Sequence, residues 1–195
     1  MWIPAGITLV AMGRTALARI AAGIYALSVL VLYGVSASYH RLPWSPRARR
    51  WMRRLDHSSI FILIAGSYTP LSLLALHHAW RVSILASVWG VALAGITLKM
   101  VHLERMDRIG MVLYIALGWT ALIALPEILR GLRPASAVLL FAGGILYTVG
   151  AVLFALRRPD PNPRVFGYHE VWHSMVIGGS LCHYVMVMLL AVAAR

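Results

Sequence analysis

Apolar residues along the chain gather into seven runs, roughly 2–13, 18–40, 57–77, 82–101, 109–126, 135–156 and 170–193, with the charged residues concentrated between them. All but the first are long enough to supply the about 20 residues that a helix needs to cross a bilayer. No run shows the period-2 alternation of a barrel strand, and backbone groups in hydrocarbon must be paired within their own segment, so the runs predict helices. The expected fold is all-α: one transmembrane domain over 1–195, a bundle of seven helices whose first member is partial. Pro70 and Pro126 fall within or at the end of runs and are candidate kinks, while Gly143, Gly144, Gly178 and Gly179 suit close helix contact.

Composition supports the bilayer as solvent. The chain is 61% hydrophobic with a mean hydropathy of +0.78, far above the roughly 45–50% apolar usage of soluble domains. A net charge of +12 over 195 residues would ordinarily suggest a nucleic-acid surface. The cations, however, sit in short connections, where they read as a topology signal. The stretch after run two holds Arg41, Arg47, Arg49, Arg50, Arg53 and Arg54, and its same-side partners hold Lys99, Arg105, Arg108, Arg157, Arg158 and Arg164, twelve in all. The other side holds Arg14, Arg19, Arg81, Arg130, Arg133 and Arg195, which is six. That split places the N-terminus and the 41–54 stretch in the cytoplasm and the C-terminus outside, in the inner or plasma membrane, with no nucleic-acid partner. Cys182 has no second cysteine to pair with, so no intrachain disulfide forms. The N-terminus lacks the basic start and small-residue cleavage pattern of a signal peptide.

Ionisable residues within spans are costly and mark function by default. Ser36 and His40 lie one helical turn apart on one face at the end of the second run. Asp56 opens the third run at the same membrane surface, and His169 and His173 repeat the i, i+4 spacing at the start of the last. The arginine-derived topology therefore brings Ser36, His40, Asp56, His169 and His173 to one depth in one leaflet. Three imidazoles with a carboxylate and a hydroxyl suit Zn²⁺, which favours nitrogen ligands and keeps a fourth position for water in a three-histidine site. Interfacial hydrogen bonding by separate histidines is the competing reading. His183 lies two to three turns deeper and reads as a buried hydrogen-bonding residue, His57 points about 100° away from Asp56, and His77 and His78 lie on the other side. Glu170 favours the helix N-terminus through its charge.

The stretches S-A-S-Y-H at 36–40, R-R-L-D-H-S-S-I-F-I-L-I-A-G-S-Y-T-P at 53–70 and H-E-V-W-H at 169–173, followed by G-S-L-C-H, resemble the bacterial hemolysin III proteins. These belong to the progestin and adiponectin receptor family, grouped with alkaline ceramidases in a superfamily of membrane hydrolases. The resemblance covers nearly the whole chain. It implies a seven-helix bundle with a cytoplasmic-side zinc held by His40, His169 and His173, and it matches Ser36 and Asp56 to the family's hydroxyl and water-binding carboxylate. Family members usually carry a full first helix after a polar segment. Here a dozen apolar residues precede Arg14, about 18 Å against a roughly 30 Å core, so the first span is expected to be truncated or the start to lie upstream.

The expected activity is zinc-dependent hydrolysis of a lipid-like amide or ester, with Asp56 holding the water and taking its proton and Ser36 steadying the oxyanion. Membrane lipids are the expected partners. A pore-forming cytolysin and a non-catalytic sensor with structural zinc are the alternatives; no run carries the polar stripe that a water-filled lumen requires.

Overall fold

A computed structural model describes residues 2–101 and 107–194. Helix α1 (Trp2–Ala11) is followed by α2 (Ala16–Arg41), α3 (Pro46–Ala75), α4 (His78–Val101), α5 (Asp107–Gly118), a 3₁₀ segment (Trp119–Ala124), α6 (Leu125–Gly131), α7 (Pro134–Leu156) and α8 (Tyr168–Ala193). The described residues contain no strand beyond an isolated bridge between Asn162 and Phe166. Six helical segments are long and apolar enough to cross a membrane, with α5, the 3₁₀ segment and α6 forming one of them, and α1 is a shorter apolar helix. The protein is a multi-pass membrane protein with the expected seven-helix architecture.

Helix α3 is the axis of the bundle, with α2, α4, α5 and α8 packed around it and α7 against α8. Its buried residues include Ser58, Phe61, Gly66, Tyr68 and Leu71. Small residues let the helices close, which is the main source of packing energy between helices already in lipid. At Gly66 an added Cβ would lie 2.2 Å from the Ser28 hydroxyl of α2, so the α2–α3 approach depends on hydrogen at that position.

The third helix departs from the hydropathy pattern. Its 30 residues begin at Pro46, eleven before the apolar run, and only residues 42–45 connect it to α2. The arginine-rich stretch is therefore mostly helix and not loop. Ser45 caps it by accepting from Ala48 N at 3.3 Å, and Pro46 occupies the first turn, where its missing N–H costs nothing. At 1.5 Å per residue α3 is about 45 Å long, so it projects beyond a roughly 30 Å core.

Lys99 also departs from its expected place among loop cations. It lies in the last turn of α4, 1% exposed, with Nζ 3.4 Å from His57 Nδ1. Gly110 of α5 makes room for it, since a Cβ there would meet Lys99 Cε at 2.6 Å. Arg105 and Arg195, which entered the same charge count, lie outside the described residues.

Pro126 sits in the first turn of α6, and the span continues past it to Gly131. Because proline supplies no N–H, the preceding turn tightens to i→i+3 bonding, with Leu125 N donating to Leu122 O. Tyr68 repairs the interrupted ladder from α3: its hydroxyl donates to Gly118 O at 2.6 Å and accepts from Ala121 N at 2.7 Å. Each of those backbone groups would cost about 1–3 kcal/mol if buried unpaired. Pro70 lies inside α3, which runs on through it.

Candidate metal centre

Two helix ends build the site. The C-terminal turn of α2 carries Tyr39 and His40, and the turn after it is tied back by Trp44, whose Nε1 donates to Ser38 O at 2.9 Å. The N-terminus of α8 is held from both sides of Gly167. Gly167 N donates to the Glu170 carboxylate at 2.9 Å, and Tyr168 N donates to Asp160 Oδ1 at 3.0 Å. A Cβ at Gly167 would meet that Asp160 oxygen at 2.6 Å, so glycine permits the close approach. Glu170 is thereby committed to capping orphan donors of the helix start, as its charge suggested.

These ends bring His40, His169 and His173 together, with one ligating nitrogen from each lying within 4.8 Å of the others. Ring centroids are 5.1 Å apart for His40 and His169, 5.6 Å for His40 and His173, and 4.8 Å for His169 and His173. In a tetrahedral site with 2.0–2.1 Å zinc–nitrogen bonds the nitrogens stand about 3.4 Å apart, so modest inward rotamer shifts would close the set on one ion. The rings are braced from outside: Phe154 of α7 packs on His169 at 5.4 Å and Tyr39 on His40 at 4.7 Å. His40 is exposed while the other two are half-buried, which leaves the cluster open on one side.

Asp56, half-buried on α3, lies beside His40 and accepts a hydrogen bond from the Ser36 hydroxyl of α2. The five residues singled out from the sequence thus form one constellation. It contains three imidazole nitrogens that can hold a divalent ion, with an adjoining carboxylate oriented by a hydroxyl.

A family model described as Haemolysin-III related matches residues 1–184. The chain belongs to this family. Hemolysin-3 of Bacillus cereus is 34% identical over 174 residues, covering 89% of this chain and 76% of the relative. The monocyte to macrophage differentiation factor of Homo sapiens is 25% identical over 178 residues, covering 85% and 68%. The adiponectin receptor protein of Drosophila melanogaster is 26% identical over 183 residues, covering 85% of this chain and 41% of its own length.

Among the described residues, His57, His77 and His183 stand apart from the cluster. His57 pairs with Lys99, and its carbonyl accepts from Tyr114. His77, at the other end of α3, is paired through Nδ1 with Glu127. His183 is buried, with Nε2 bonded to Leu140 O at 3.2 Å, and a Cβ at Gly143 would strike its ring.

Sequence reasoning missed a second polar layer beneath the site. The Ser180 hydroxyl bonds Tyr33 and Tyr147, each at 3.0 Å, and the Ser180 carbonyl accepts from Tyr25 at 2.9 Å. Tyr33 and Ser180 stand seven residues from His40 and His173, so each shares a helix face with a ligand two turns away. That i, i+7 spacing was a readable signal. The layer locks α2, α7 and α8 together and so fixes the two helix ends that carry the histidines.

Proposed function

We propose that the protein is a zinc-dependent hydrolase of lipid-like amides or esters, working at the cytoplasmic face of the membrane. The observation that carries this reading is the convergence of His40, His169 and His173 with the Ser36–Asp56 pair at one end of the bundle. The donor set fits zinc, since imidazole nitrogens suit it and three protein ligands leave a position for water or substrate. Bound there, zinc supplies Lewis acidity towards a carbonyl oxygen and makes water a stronger acid.

The chain's own groups would divide the remaining work. The imidazoles fix the ion, with their rings held by Phe154 and Tyr39. A carboxylate oxygen of Asp56 takes the proton from the attacking water and later returns it to the leaving amine or alcohol. Ser36 spends its O–H on Asp56 in this arrangement, so its role is orienting the carboxylate; the oxyanion support first assigned to it would need that donor free. The open side at His40 admits a substrate lying in the leaflet.

Two measurements test the reading. Purified protein in detergent should carry close to one zinc per chain and should release fatty acid or free amine from an ester or amide lipid panel in a chelator-sensitive way. Zinc without turnover across that panel would favour structural metal and a sensor. Release of entrapped dye from vesicles, without hydrolysis, would favour the cytolytic reading suggested by the name of the Bacillus cereus relative.

Orientation is tested separately. A reporter fused after the last residue should read as outside the cytoplasm and one inserted at residues 42–45 as inside. The reverse pattern would move the site to the other face.

A further inference from the structure

The first turns of α3 lie beyond the apolar run and end at Asp56, and Arg47, Arg49, Arg50, Arg53 and Arg54 all fall in them. A charge bias of this kind has an ordinary explanation in membrane topology. Two of these arginines lie over rings, Arg54 over Trp51 at 4.9 Å and Arg49 over Tyr39, and Arg49 is set apart because its ring adjoins His40. Its guanidinium lies 5.2 Å over the Tyr39 ring, and that ring is in turn 4.7 Å from the ring of His40. Arg49 and Asp56 are seven residues apart, so they share one face of α3, with Arg49 two turns nearer the aqueous end. Arg50, rotated about 100° from Arg49, leaves that face.

We propose that Arg49, seated on Tyr39 beside His40, binds the anionic headgroup of a membrane lipid, which makes the substrate class a phosphate- or carboxylate-headed lipid. The inference rests on the hydrolase reading, because it takes the bound lipid to be the substrate. A guanidinium held over an aromatic face keeps a planar fork of N–H donors that matches a phosphate or carboxylate edge. Stacking on Tyr39 limits the rotamers of a long side chain, so less entropy is lost when an anion binds. The order along α3, from Arg49 outward to Asp56 inward, is the order in which a lipid in a leaflet presents its headgroup and its acyl linkage.

The test titrates the full chain in a neutral maltoside detergent with dihexanoyl phosphatidylglycerol, dihexanoyl phosphatidylcholine and glycerol 3-phosphate, read by tryptophan fluorescence. Phosphatidylglycerol should bind most tightly, and Arg49→Gln should weaken it by about tenfold or more, as expected for losing a charge-assisted contact. Arg50→Gln removes the same charge from the same helix and should change it less than about threefold. Arg49→Lys, which keeps the charge but loses the fork, should fall between. Equal losses in the two glutamine variants, or equal binding of both lipids, would show a diffuse basic surface and overturn the proposal. Glycerol 3-phosphate binding as tightly as the lipid would overturn it in favour of a soluble anion. Binding is read without turnover, so the two readings fail separately. Arg49-dependent lipid binding with no hydrolysis removes the enzyme and keeps the headgroup site, whereas hydrolysis with no headgroup preference removes this inference alone.

Discussion

Replacing His40, His169 or His173 singly by alanine is expected to take bound zinc from near one ion per chain to a small fraction of that, and to lower the thermal unfolding temperature. The three residues come from the ends of two helices, α2 and α8, so an ion shared among them ties those ends together. Metal that binds the folded state alone adds its binding free energy to stability, and loss of one of three protein ligands removes most of it. Metal analysis by mass spectrometry and unfolding with and without chelator read both effects. His77→Ala, at the other end of the bundle, should keep its zinc and differ little from wild type in chelator sensitivity. Full metal retention in all three cluster variants would dissolve the site.

The hydropathy pattern was enough to read the bundle because a bilayer leaves few alternatives: a long apolar segment must pair its own backbone, and helix is the local way to do so. The same signal misplaced the start of α3. Hydropathy falls to nothing across the arginines at 47–54, yet arginine is a good helix former, and Ser45 with Pro46 is a recognisable cap and first turn. Propensity and capping, unlike hydropathy, mark where a helix begins outside lipid. Lys99 failed for a related reason: a cation near the end of an apolar run reads as a loop residue, and only the neighbouring helices reveal the pocket that Gly110 leaves for it.

Helix periodicity placed the site residues on shared faces, and the arginine asymmetry placed them on a common side, which together sufficed to propose the constellation. Distances between helices were beyond that reasoning. The Ser36 hydrogen bond to Asp56, the Tyr39 bridge from Arg49 to His40 and the Tyr33–Ser180–Tyr147 layer each join different helices, and no local pattern encodes how far apart two spans pack. Tyr68 illustrates the limit most clearly. Pro126 announces a broken hydrogen-bond ladder in the sequence, but the hydroxyl that repairs it comes from α3, more than fifty residues away.

Asp56→Asn is expected to keep zinc and the fold while lowering hydrolysis by roughly 10²-fold or more, the usual worth of a positioned proton acceptor. Asparagine preserves the volume at that position, and its amide oxygen still accepts from the Ser36 hydroxyl, so the α2–α3 contact at the site survives. What disappears is the ability of the Asp56 side chain to take a proton from water beside the cluster. The three imidazoles already supply the donor set, so an Asp56 that acts only on water has no share in holding the ion. Zinc content and lipid hydrolysis measured on the same preparation separate the two jobs. Should Asp56→Asn lose zinc as fully as the alanine variants at His40, His169 and His173 do, the carboxylate is itself a ligand. The coordination shell is then closed to water, and structural metal in a non-catalytic protein becomes the better account of the site.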